Sequence, residues 1–571
     1  MSVVEPPPPA RRRAATQVRA HWMPYAVVGV LTLAVLMYSV VEQLFDTNFY
    51  FVWQATALLA GDHPYRDFYE MGSPLMTLMS AAMQWAVGYR LIGEFLIHWT
   101  FIVCGVVISF HLARRLSHSL WASLTTTFMA IAIIAATPTY HFPKLFFYPA
   151  AVWALWWYME APSVARAAVV GLVTDAAFLF RHDHGIYIGV GAVLTFVLAR
   201  VINAASRDWP SSAREVLAFS SAAALPLVPW AILVERNEGL MDYVRARAAW
   251  GATQEPAGFA YLVLRDFNPA SIVAVGGLPS REPAQHWLLQ LTLLLPLLVL
   301  LRAAIAFTAH RRDERSMSLE TCRTCIAAAM AMIVAIRLSR EDSYFVVVLT
   351  LSTVLGARLL AGAGQSTTRV WRIVHPIIAV STLVVTCAAV GGYVAAWDLL
   401  KPSELRELAP TFRQLLTTPP IDALQSADTA RHLQSAQWLA SDTDARLTLA
   451  LRYMHDCTRD GDHIFVTGST PYQVAYYTER PVAGGQLEWH QGWLSDPPHE
   501  RQSLMLLRTQ SVPFAFSTHD PVLDDLRPYP DIRRYFQENY VSLEGSGGLL
   551  LVDRRRHPTG HFGVVGLPCF R

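Results

Sequence analysis

The sequence predicts an all-α polytopic membrane domain of about eleven transmembrane helices, followed by a small extracytoplasmic α/β domain. Hydrophobic residues make up 53% of the 571 residues, charged residues make up 16%, and the mean hydropathy is +0.30. Because a soluble chain carries about 25% charged residues, this chain lacks the polar surface for several water-facing domains. Apolar runs fill the part before residue 398, and a stretch of ordinary polarity follows it.

Charge and composition exclude two further classes of protein. The 46 basic and 44 acidic residues give a net charge of +2, which offers no basic surface to a nucleic acid. Aromatic residues make up 11% of the chain, so a disordered, solvated coil is excluded as well. The basic residues are almost all arginines, and Lys144 and Lys401 are the two lysines.

A transmembrane helix needs about 20 predominantly apolar residues, and eleven segments approach this length. In chain order they are Pro24 to Val41, Leu91 to Ala113, Leu120 to Thr137, Leu145 to Tyr158, Ala167 to Phe180, Gly185 to Ile202, Val216 to Val234, Trp287 to Phe307, Thr324 to Ile336, Tyr344 to Leu360 and Val374 to Trp397. The shorter run from Pro74 to Val87 leaves a re-entrant helix, a surface-lying helix and a span open. Arg11 to Arg13 precede the first run without a later cleavage site, so this segment is predicted to be an anchor.

The orientation follows from the basic loops, because short cytoplasmic loops collect arginine and lysine. With a cytoplasmic tail at 1–23 and Pro74 to Val87 not crossing, every strongly basic short loop falls on the cytoplasmic side. The predicted parts are then a membrane domain at 24–397 with external loops 42–90 and 235–286, and an extracytoplasmic C-terminal domain at 398–571.

The C-terminal region alternates predicted helices and strands, which is typical of a small α/β domain. Helices are predicted at Asp442 to Asp456, Arg501 to Thr509 and Asp531 to Asn539, and strands at His463 to Thr467, Pro513 to Ser517, and Val541 with Leu549 to Val552. The glycine-rich segment from Gly545 to Gly548 supplies the turn of the last hairpin.

The six cysteines predict neither a dense disulfide framework nor a zinc site. Cys322 and Cys325 have CxxC spacing, but no second pair and no clustered histidines accompany them. They are interpreted as small apolar residues at the mouth of a span. Cys457 and Cys569 both lie in the C-terminal region, and they are candidates to pair if that region is outside the cell.

Ionisable residues at membrane depth mark functional sites by default, and four short groups are predicted to lie at the outer face. In the first group, Asp46 follows the first span and is the candidate general base. Glu70 is the second catalytic candidate, and Arg66 and Asp67 are supporting residues. A helix-capping Asp46 and a solvated loop Glu70 are the alternatives.

The second and third groups bring cations to the same face. Lys144, close to His141, lies at the mouth of a span, where its charge either contacts a phosphate or snorkels to the interface. Arg181 and Asp183 lie between two spans with almost no loop, so they line a cavity or pair with each other. No metal site is predicted from the flanking histidines, and whether a divalent cation takes part is left open.

The fourth group contains Arg340 and Asp342, for which a substrate contact and a structural salt bridge are equally good explanations. Taken together, the four groups place carboxylates and cationic side chains at one membrane face. This combination suits a reaction between a lipid-borne phosphate and a polar acceptor.

With these groups in view, the sequence resembles the GT-C class of membrane glycosyltransferases. This class includes the protein O-mannosyltransferases and the bacterial aminoarabinose transferase of lipid A. In that class an Asp follows the first transmembrane helix, and a second acidic residue precedes a Pro-Leu that opens the next helix. Asp46 and Glu70, the latter before Pro74-Leu75, occupy these places. Ala57 to Tyr65 is similar to the family's amphipathic helix and turn, and Leu338 to Tyr344 to its basic-acidic motif.

Two departures from the family pattern concern the donor phosphate. Met71-Gly72-Ser73-Pro74-Leu75 stands where the transferases have Lys-Pro-Pro-Leu, which removes a cation. Lys144 stands where related enzymes often have an Asp. Lys144 and Arg181 are therefore the candidates to replace the missing cation.

The resemblance implies transfer of a sugar, with inversion, from a polyprenyl-phosphate donor to an extracytoplasmic glycan, lipid or protein. It implies a multi-pass protein in the lipid bilayer of a bacterial inner membrane. Asp46 would remove the acceptor proton, and Glu70 would position the acceptor or Asp46. Lys144, Arg181 and Arg340 would stabilise the departing lipid phosphate. Two alternatives stay open, namely a transporter or flippase of a lipid-linked or anionic substrate, and a catalytically inactive scaffold of the same class.

Overall fold

The computed structural model describes most of the helical region and of the C-terminal domain. The described residues are 10–38, 46–70, 72–136, 143–202, 209–253, 294–301, 319–337, 345–361, 443–468, 471–517, 520–563 and 566–571, with a few positions between 376 and 423. The predicted span from Val374 to Trp397 and the predicted boundary at residue 398 lie mostly outside them.

The described residues up to 361 are mostly helical, and most of these helices contribute to one hydrophobic core. The helices are α1 (Ala10–Tyr38), α2 (Asp46–Leu59), α3 (Pro74–Val87), α4 (Ile92–Ser117), α5 (Leu120–Ala136), α6 (Pro143–Glu160), α7 (Val164–Phe180), α8 (His182–Ile202), α9 (Trp209–Ala224), α10 (Leu227–Asn237), α11 (Leu240–Thr253), α12 (Leu319–Arg337) and α13 (Phe345–Ala361). The first helix begins within the predicted tail at 1–23. The apolar run from Pro74 to Val87 forms α3 with the predicted bounds.

Two described helices are long and apolar enough to cross a membrane, by length and composition. They are the α4 stretch Ile92–Ser117 and the α8 stretch His182–Arg200. Shorter apolar helical stretches occur at Trp22–Tyr38, Phe49–Leu59, Leu120–Ile134 and Val348–Ala361. The described residues therefore support a helical domain rich in apolar helices, whereas eleven crossings stay a prediction.

The predicted span from Val216 to Val234 is bent in the structure. It falls on two helices, α9 and α10, which meet at an angle of 43° and together are apolar enough to cross a membrane as one broken span or to form a re-entrant loop. The break falls at Leu225 and Pro226. Proline has no backbone N–H and its ring collides with the preceding turn, so it interrupts a helix that hydropathy alone treats as continuous.

Glycines allow close contacts between several helices. A Cβ atom at Gly105 of α4 would collide with the backbone of Leu145 in α6, and one at Gly171 of α7 with the carbonyl group of Phe219 in α9. Small residues let helix backbones approach closely where the surroundings are as apolar as the side chains. These contacts hold α4 against α6, and α7 against α9.

The C-terminal domain contains a four-stranded mixed sheet with helices packed on it. Its elements are α14 (Pro420–Ala423), α15 (Thr443–Asp456), β1 (Ile464–Thr467), α16 (Pro471–Thr478), a 3₁₀ turn (Ala483–Gly485), α17 (Pro497–Thr509), β2 (Phe514–Ser517), α18 (Val522–Asp525), α19 (Pro530–Asn539), β3 (Tyr540–Ser542), β4 (Leu550–Asp553), β5 (Gly560–Phe562) and β6 (Leu567–Cys569). The strand order is β1-β2-β4-β3, with β1 and β2 parallel and the other pairs antiparallel. The predicted small α/β region is confirmed, and the β5-β6 hairpin was not predicted.

Cys457 and Cys569 form a disulfide, as the sequence suggested for an external domain. The bridge joins the end of α15 to β6, and the two cysteines are 112 residues apart in the chain. It therefore closes a loop that contains the whole sheet.

The C-terminal domain packs against the first predicted external loop. Phe49 of α2 contacts the rings of Tyr476 and Tyr477 in α16. The amide of Tyr69 donates a hydrogen bond of 2.9 Å to the carbonyl oxygen of Gly485. The first loop and the C-terminal domain therefore share one interface.

Removing the disulfide should destabilise the C-terminal domain. For a double Cys457→Ala and Cys569→Ala variant we expect a loss of about 2–5 kcal/mol in unfolding free energy, since a crosslink over a loop of this size restricts the unfolded chain. The full chain is unfolded with denaturant, and protease cleavage within residues 443–571 at each denaturant concentration measures this loss. The exposed Cys104→Ala provides the control, and equal stability of both variants would contradict the expectation.

Candidate functional site

The first external loop wraps around a buried carboxylate, Glu70. Glu70 is only 2% exposed to solvent. Glu70 Oε2 accepts hydrogen bonds from the hydroxyl of Tyr65 and from the amide of Gly72, both at 3.0 Å. Glu70 Oε1 accepts one of 2.5 Å from the amide of Ser73. The carboxylate therefore fixes the turn that leads into α3.

The turn depends on a glycine at position 72. Gly72 has φ +87°, a left-handed conformation that glycine adopts without strain. This conformation lets its amide face Glu70, while its carbonyl oxygen accepts a hydrogen bond of 3.1 Å from the amide of His182 in α8. Gly72, which shapes the loop, therefore belongs to the segment that differs from the Lys-Pro-Pro-Leu pattern.

Burial governs the electrostatics of Glu70. Burial raises the pKa of its carboxyl group above the ordinary value, and Arg247 together with the amides of Ser73 and Gly72 opposes that rise. Both carboxylate oxygens already accept hydrogen bonds from the protein. We therefore interpret Glu70 as a positioning residue that holds the loop in shape.

Arg247 of α11 locks the loop from the other side. Its guanidinium group donates a hydrogen bond to the carbonyl oxygen of Glu70. The same group lies 4.8 Å from the ring centre of Tyr243 and 5.8 Å from that of Trp493. A cation over aromatic rings is stabilised by the negative ring faces. Arg247 thereby joins the first loop, α11 and the C-terminal domain.

Tyr243 extends this network to α8. Its hydroxyl lies 2.8 Å from Nε2 of His182. Nδ1 of His182 lies 2.9 Å from the carbonyl oxygen of Phe178, which can only accept. Nδ1 therefore carries a proton, and in the neutral ring Nε2 accepts from Tyr243. The first and third predicted groups meet through this histidine.

Lys144 and Arg181 line one small pocket together with His184. The walls of the pocket are otherwise mainly apolar and come from α2, α3, α6 and α7, including Phe51 and Met76. Lys144 is buried at the start of α6, whereas Arg181 is partly exposed. Two cationic side chains from separate predicted groups therefore converge beside the first loop.

Acidic and polar partners surround this pocket. Arg181 Nε lies 3.1 Å from Oδ1 of Asp183, which lies 3.5 Å from Nε2 of His184. The hydroxyl of Tyr148 contacts Nδ1 of the same histidine. Within the described ranges, no cluster of three or more His, Cys, Asp or Glu residues is suited to a metal ion.

The remaining predicted site residues fall into three sets. Asp46 is the first residue of α2, one helical turn before Tyr50. Arg66 and Asp67 form an ion pair of 2.6 Å on the exposed side of the loop, and Asp67 Oδ2 accepts from the amide of His63 at 2.8 Å. The residues outside the described part of the chain are His141, Arg340 and Asp342.

An ionic cluster around the buried His499 lies between the end of α10 and the C-terminal domain and was not predicted from the sequence. His499 Nδ1 lies 2.7 Å from Asp496, and its Nε2 lies 3.1 Å from Glu238. Burial lowers the pKa of His499, but these two acids raise it more, to about 9. The hydroxyl of Tyr69 donates to the carbonyl oxygen of His499 at 3.1 Å. The cluster therefore lies directly beside the loop that contains Glu70.

One sequence signal could have revealed part of this network. Tyr243 and Arg247 are four residues apart, which places them on one face of a helix. The surrounding segment was assigned to the long loop 235–286, because its polarity excludes a membrane span. Its interior, Leu240–Thr253, is α11.

Comparison with known proteins gives likenesses among solved structures only. No protein-family profile and no curated protein sequence matches this chain. Among solved structures, ArnT from Cupriavidus metallidurans bound to undecaprenyl phosphate is similar, with 13% sequence identity and a TM-score of 0.48. The likeness covers 92% of this chain and 97% of that one.

Raising the pH should loosen the contact between α17 and the end of α10. The pKa of His499 is raised from about 6.5 in the unfolded chain to about 9. Its stabilising contribution is therefore fully present below about pH 6.5 and is lost as the pH rises through about 9. We expect protection factors from hydrogen exchange in α17 to fall about tenfold or more over this range.

The matched comparison for this titration is His499→Gln against His561→Gln, which changes an exposed ring in the same domain. The His499→Gln protein should show low protection at every pH, whereas the His561→Gln protein should follow the wild type. A wild-type protection profile that stays flat up to about pH 10 would exclude the charged cluster as the cause.

Proposed function

We propose that this chain is a membrane glycosyltransferase of the GT-C class. In this proposal it transfers a sugar from a polyprenyl-phosphate donor to an extracytoplasmic acceptor with inversion. The observation that carries the proposal is the pocket in which Lys144 and Arg181 converge beside the first loop. The Asp46 and Glu70 motif in the same loop supports it.

The chemistry of the pocket fits the phosphate of a lipid-linked sugar. Lysine supplies a compact charge and arginine a planar set of donors, and both bind phosphate oxygens. The apolar side chains of Phe51, Met76 and Phe147 lie beside these cations. The cavity itself is small, about 10 Å³, so in this proposal the phosphate and the prenyl chain bind along its mouth.

The proposed reaction uses Asp46 as the general base. Asp46 takes the proton from an acceptor hydroxyl, and the oxygen attacks the anomeric carbon of the sugar. The bond between that carbon and the phosphate oxygen breaks, and its electron pair stays on the departing polyprenyl phosphate. Lys144 and Arg181 stabilise the charge that develops there. Arg340 is proposed to assist, and Glu70 keeps the loop in shape.

The Cys457–Cys569 disulfide supports the proposed orientation. Disulfides persist in oxidising compartments and are rare in the cytosol. An external C-terminal domain also puts the first loop outside, because both share an interface. We therefore propose a bacterial inner-membrane protein with a cytoplasmic N-terminus.

Asp46→Asn should abolish sugar transfer without disturbing membrane insertion. We expect a loss of about 10²- to 10⁴-fold in turnover, the usual contribution of a general base. Movement of radiolabel from a synthetic polyprenyl-phosphate sugar to membrane acceptors measures it. Asp242→Asn, which changes an exposed acid of α11, is the matched control. Near-normal turnover of Asp46→Asn would remove this residue from the base role.

Lys144→Met should weaken donor binding. Methionine keeps most of the length and removes the charge, so we expect about a tenfold or greater loss in affinity for undecaprenyl phosphate. Binding to the purified full chain in lipid nanodiscs measures the loss, with Arg245→Met as a control for an exposed cation of α11. Unchanged affinity in a folded Lys144→Met protein would count against the phosphate pocket.

A further inference from the structure

A second cavity, much larger than the pocket of Lys144 and Arg181, lies between α6, α8 and α9. Its volume is about 620 Å³, within the range of about 300–1,000 Å³ that is usual for small-molecule sites. Arg200 and Glu215 line it. Apolar side chains form most of the remaining wall, namely Val193, Phe196, Val197, Val216, Leu217 and Phe219.

The cavity is open to the outside of the helical domain. Val197 and Leu217 of its wall are 56% and 67% exposed. In a chain that spans a membrane, apolar side chains with this exposure face lipid. A ligand can therefore enter the cavity directly from the bilayer.

The cavity lies at the far end of two helices from the first loop. His182 at the start of α8 binds the loop through Gly72, and Arg200 follows His182 by 18 positions. At a rise of 1.5 Å per residue, these two ends of α8 are about 27 Å apart, close to the bilayer hydrocarbon thickness of about 30 Å. Likewise, Lys144 lies at the start of α6 and Tyr158 of the cavity near its end. The cavity therefore lies near the opposite membrane face, which is the cytoplasmic face in the proposed orientation.

The wall of the cavity changes from polar to apolar along the helices. Arg200, Trp209 and Ser212 line it at the end of α8 and the start of α9. Trp209 is 73% exposed, and exposed tryptophans are typical of the membrane–water interface. Further along the two helices, the rings of Phe196 and Phe219 lie 5.2 Å apart. This arrangement of a polar end and an apolar interior matches a phospholipid molecule.

Glu215 is the unusual residue of this cavity, because it is only 4% exposed. Its Oε2 accepts a hydrogen bond of 2.7 Å from the hydroxyl of Tyr158. Ionisable groups inside the membrane are unfavourable and mark functional sites by default. A carboxylate has about four acceptor positions and a guanidinium group has five donors. Glu215 and Arg200 can therefore bind a ligand in addition to their contacts within the protein.

We propose that this cavity binds a zwitterionic phospholipid with a primary amine in its head group. Arg200 contacts the phosphate, Glu215 accepts from the ammonium group, and one acyl chain lies in the apolar groove. The opposite charges of the two residues complement those of the head group. A choline head group has no N–H to donate, and a glycerol head group has no positive charge for Glu215. This site is separate from the proposed sugar transfer and does not depend on it.

Native mass spectrometry of the purified, delipidated full chain tests the site. The probes are dioleoyl phosphatidylethanolamine, phosphatidylcholine and phosphatidylglycerol, added separately. The wild type should bind one phosphatidylethanolamine molecule about tenfold or more tightly than either other lipid, since hydrogen bonds to charged groups contribute about 1.5–3 kcal/mol. Equal affinities for the three lipids would mean general contact with the bilayer only and would overturn the proposal, as would a preference for phosphatidylglycerol.

Two variants separate the contributions of the two charges. Glu215→Gln should remove the preference for phosphatidylethanolamine over phosphatidylcholine, whereas Arg200→Met should weaken binding of all three lipids. Arg214→Met is the matched control, because Arg214 is the exposed neighbour of Glu215 and does not line the cavity. A Glu215→Gln protein that keeps the wild-type preference would exclude the carboxylate as the amine contact and would overturn the proposal.

A variant of the groove tests the position of the lipid without changing either charge. Ala213 lines the cavity and is exposed, so Ala213→Trp should fill the groove without disturbing the packed core. We expect this variant to keep the melting temperature of the lipid-free wild type and to lose affinity for phosphatidylethanolamine about tenfold or more. Wild-type affinity in the Ala213→Trp protein would mean that the lipid binds elsewhere.

Discussion

The burial of one carboxylate, Glu70, determines how the parts of this molecule fit together. A carboxylate without water must be surrounded by donors, and here the donors are a tyrosine hydroxyl and two loop amides. These contacts force the chain through a left-handed glycine before α3. Arg247 then closes the loop by binding the carbonyl oxygen of the same residue. The loop geometry follows from satisfying a single buried charge.

The same requirement links segments that are distant in sequence. The first loop, α8, α11 and the C-terminal domain are joined by polar contacts through His182, Arg247 and His499. These contacts bring the first loop, the start of α8, α11 and the C-terminal domain together. Hydrogen bonds in the structure, and not only the distribution of charged loops in the sequence, therefore bring residues from separate loops together.

Local sequence signals predicted local structure well. The helix from Pro74 to Val87, three of the C-terminal helices, the strands of the four-stranded sheet, and the Cys457–Cys569 pair follow from hydrophobic periodicity, turn glycines and cysteine placement. The break at Pro226 was missed because hydropathy averages over a proline. A Pro inside an apolar run should have been treated as a probable boundary.

The network around the site was harder to predict, since its contacts are between segments. Glu70 was identified from its motif, but its enclosure depends on Arg247, which lies 177 positions away in the chain. Because the segment around Arg247 is polar, it was predicted to be part of a loop. Similarly, nothing in the sequence around His499 indicates an ionic cluster, because its partner Glu238 comes from a distant segment. A single sequence shows which residues are present, but it does not show which of them contact one another in the folded protein.

The shared anchors couple the C-terminal segment mechanically to the pocket of Lys144 and Arg181. Gly485 and Trp493 attach the C-terminal segment between them to Tyr69 and Arg247, which flank Glu70. The loop with Glu70 leads directly into α3, whose Met76 lines the pocket of Lys144 and Arg181. A shift of the C-terminal segment must therefore displace the loop or break these hydrogen bonds. The C-terminal segment and this pocket are therefore held at a fixed separation by the contacts around Glu70.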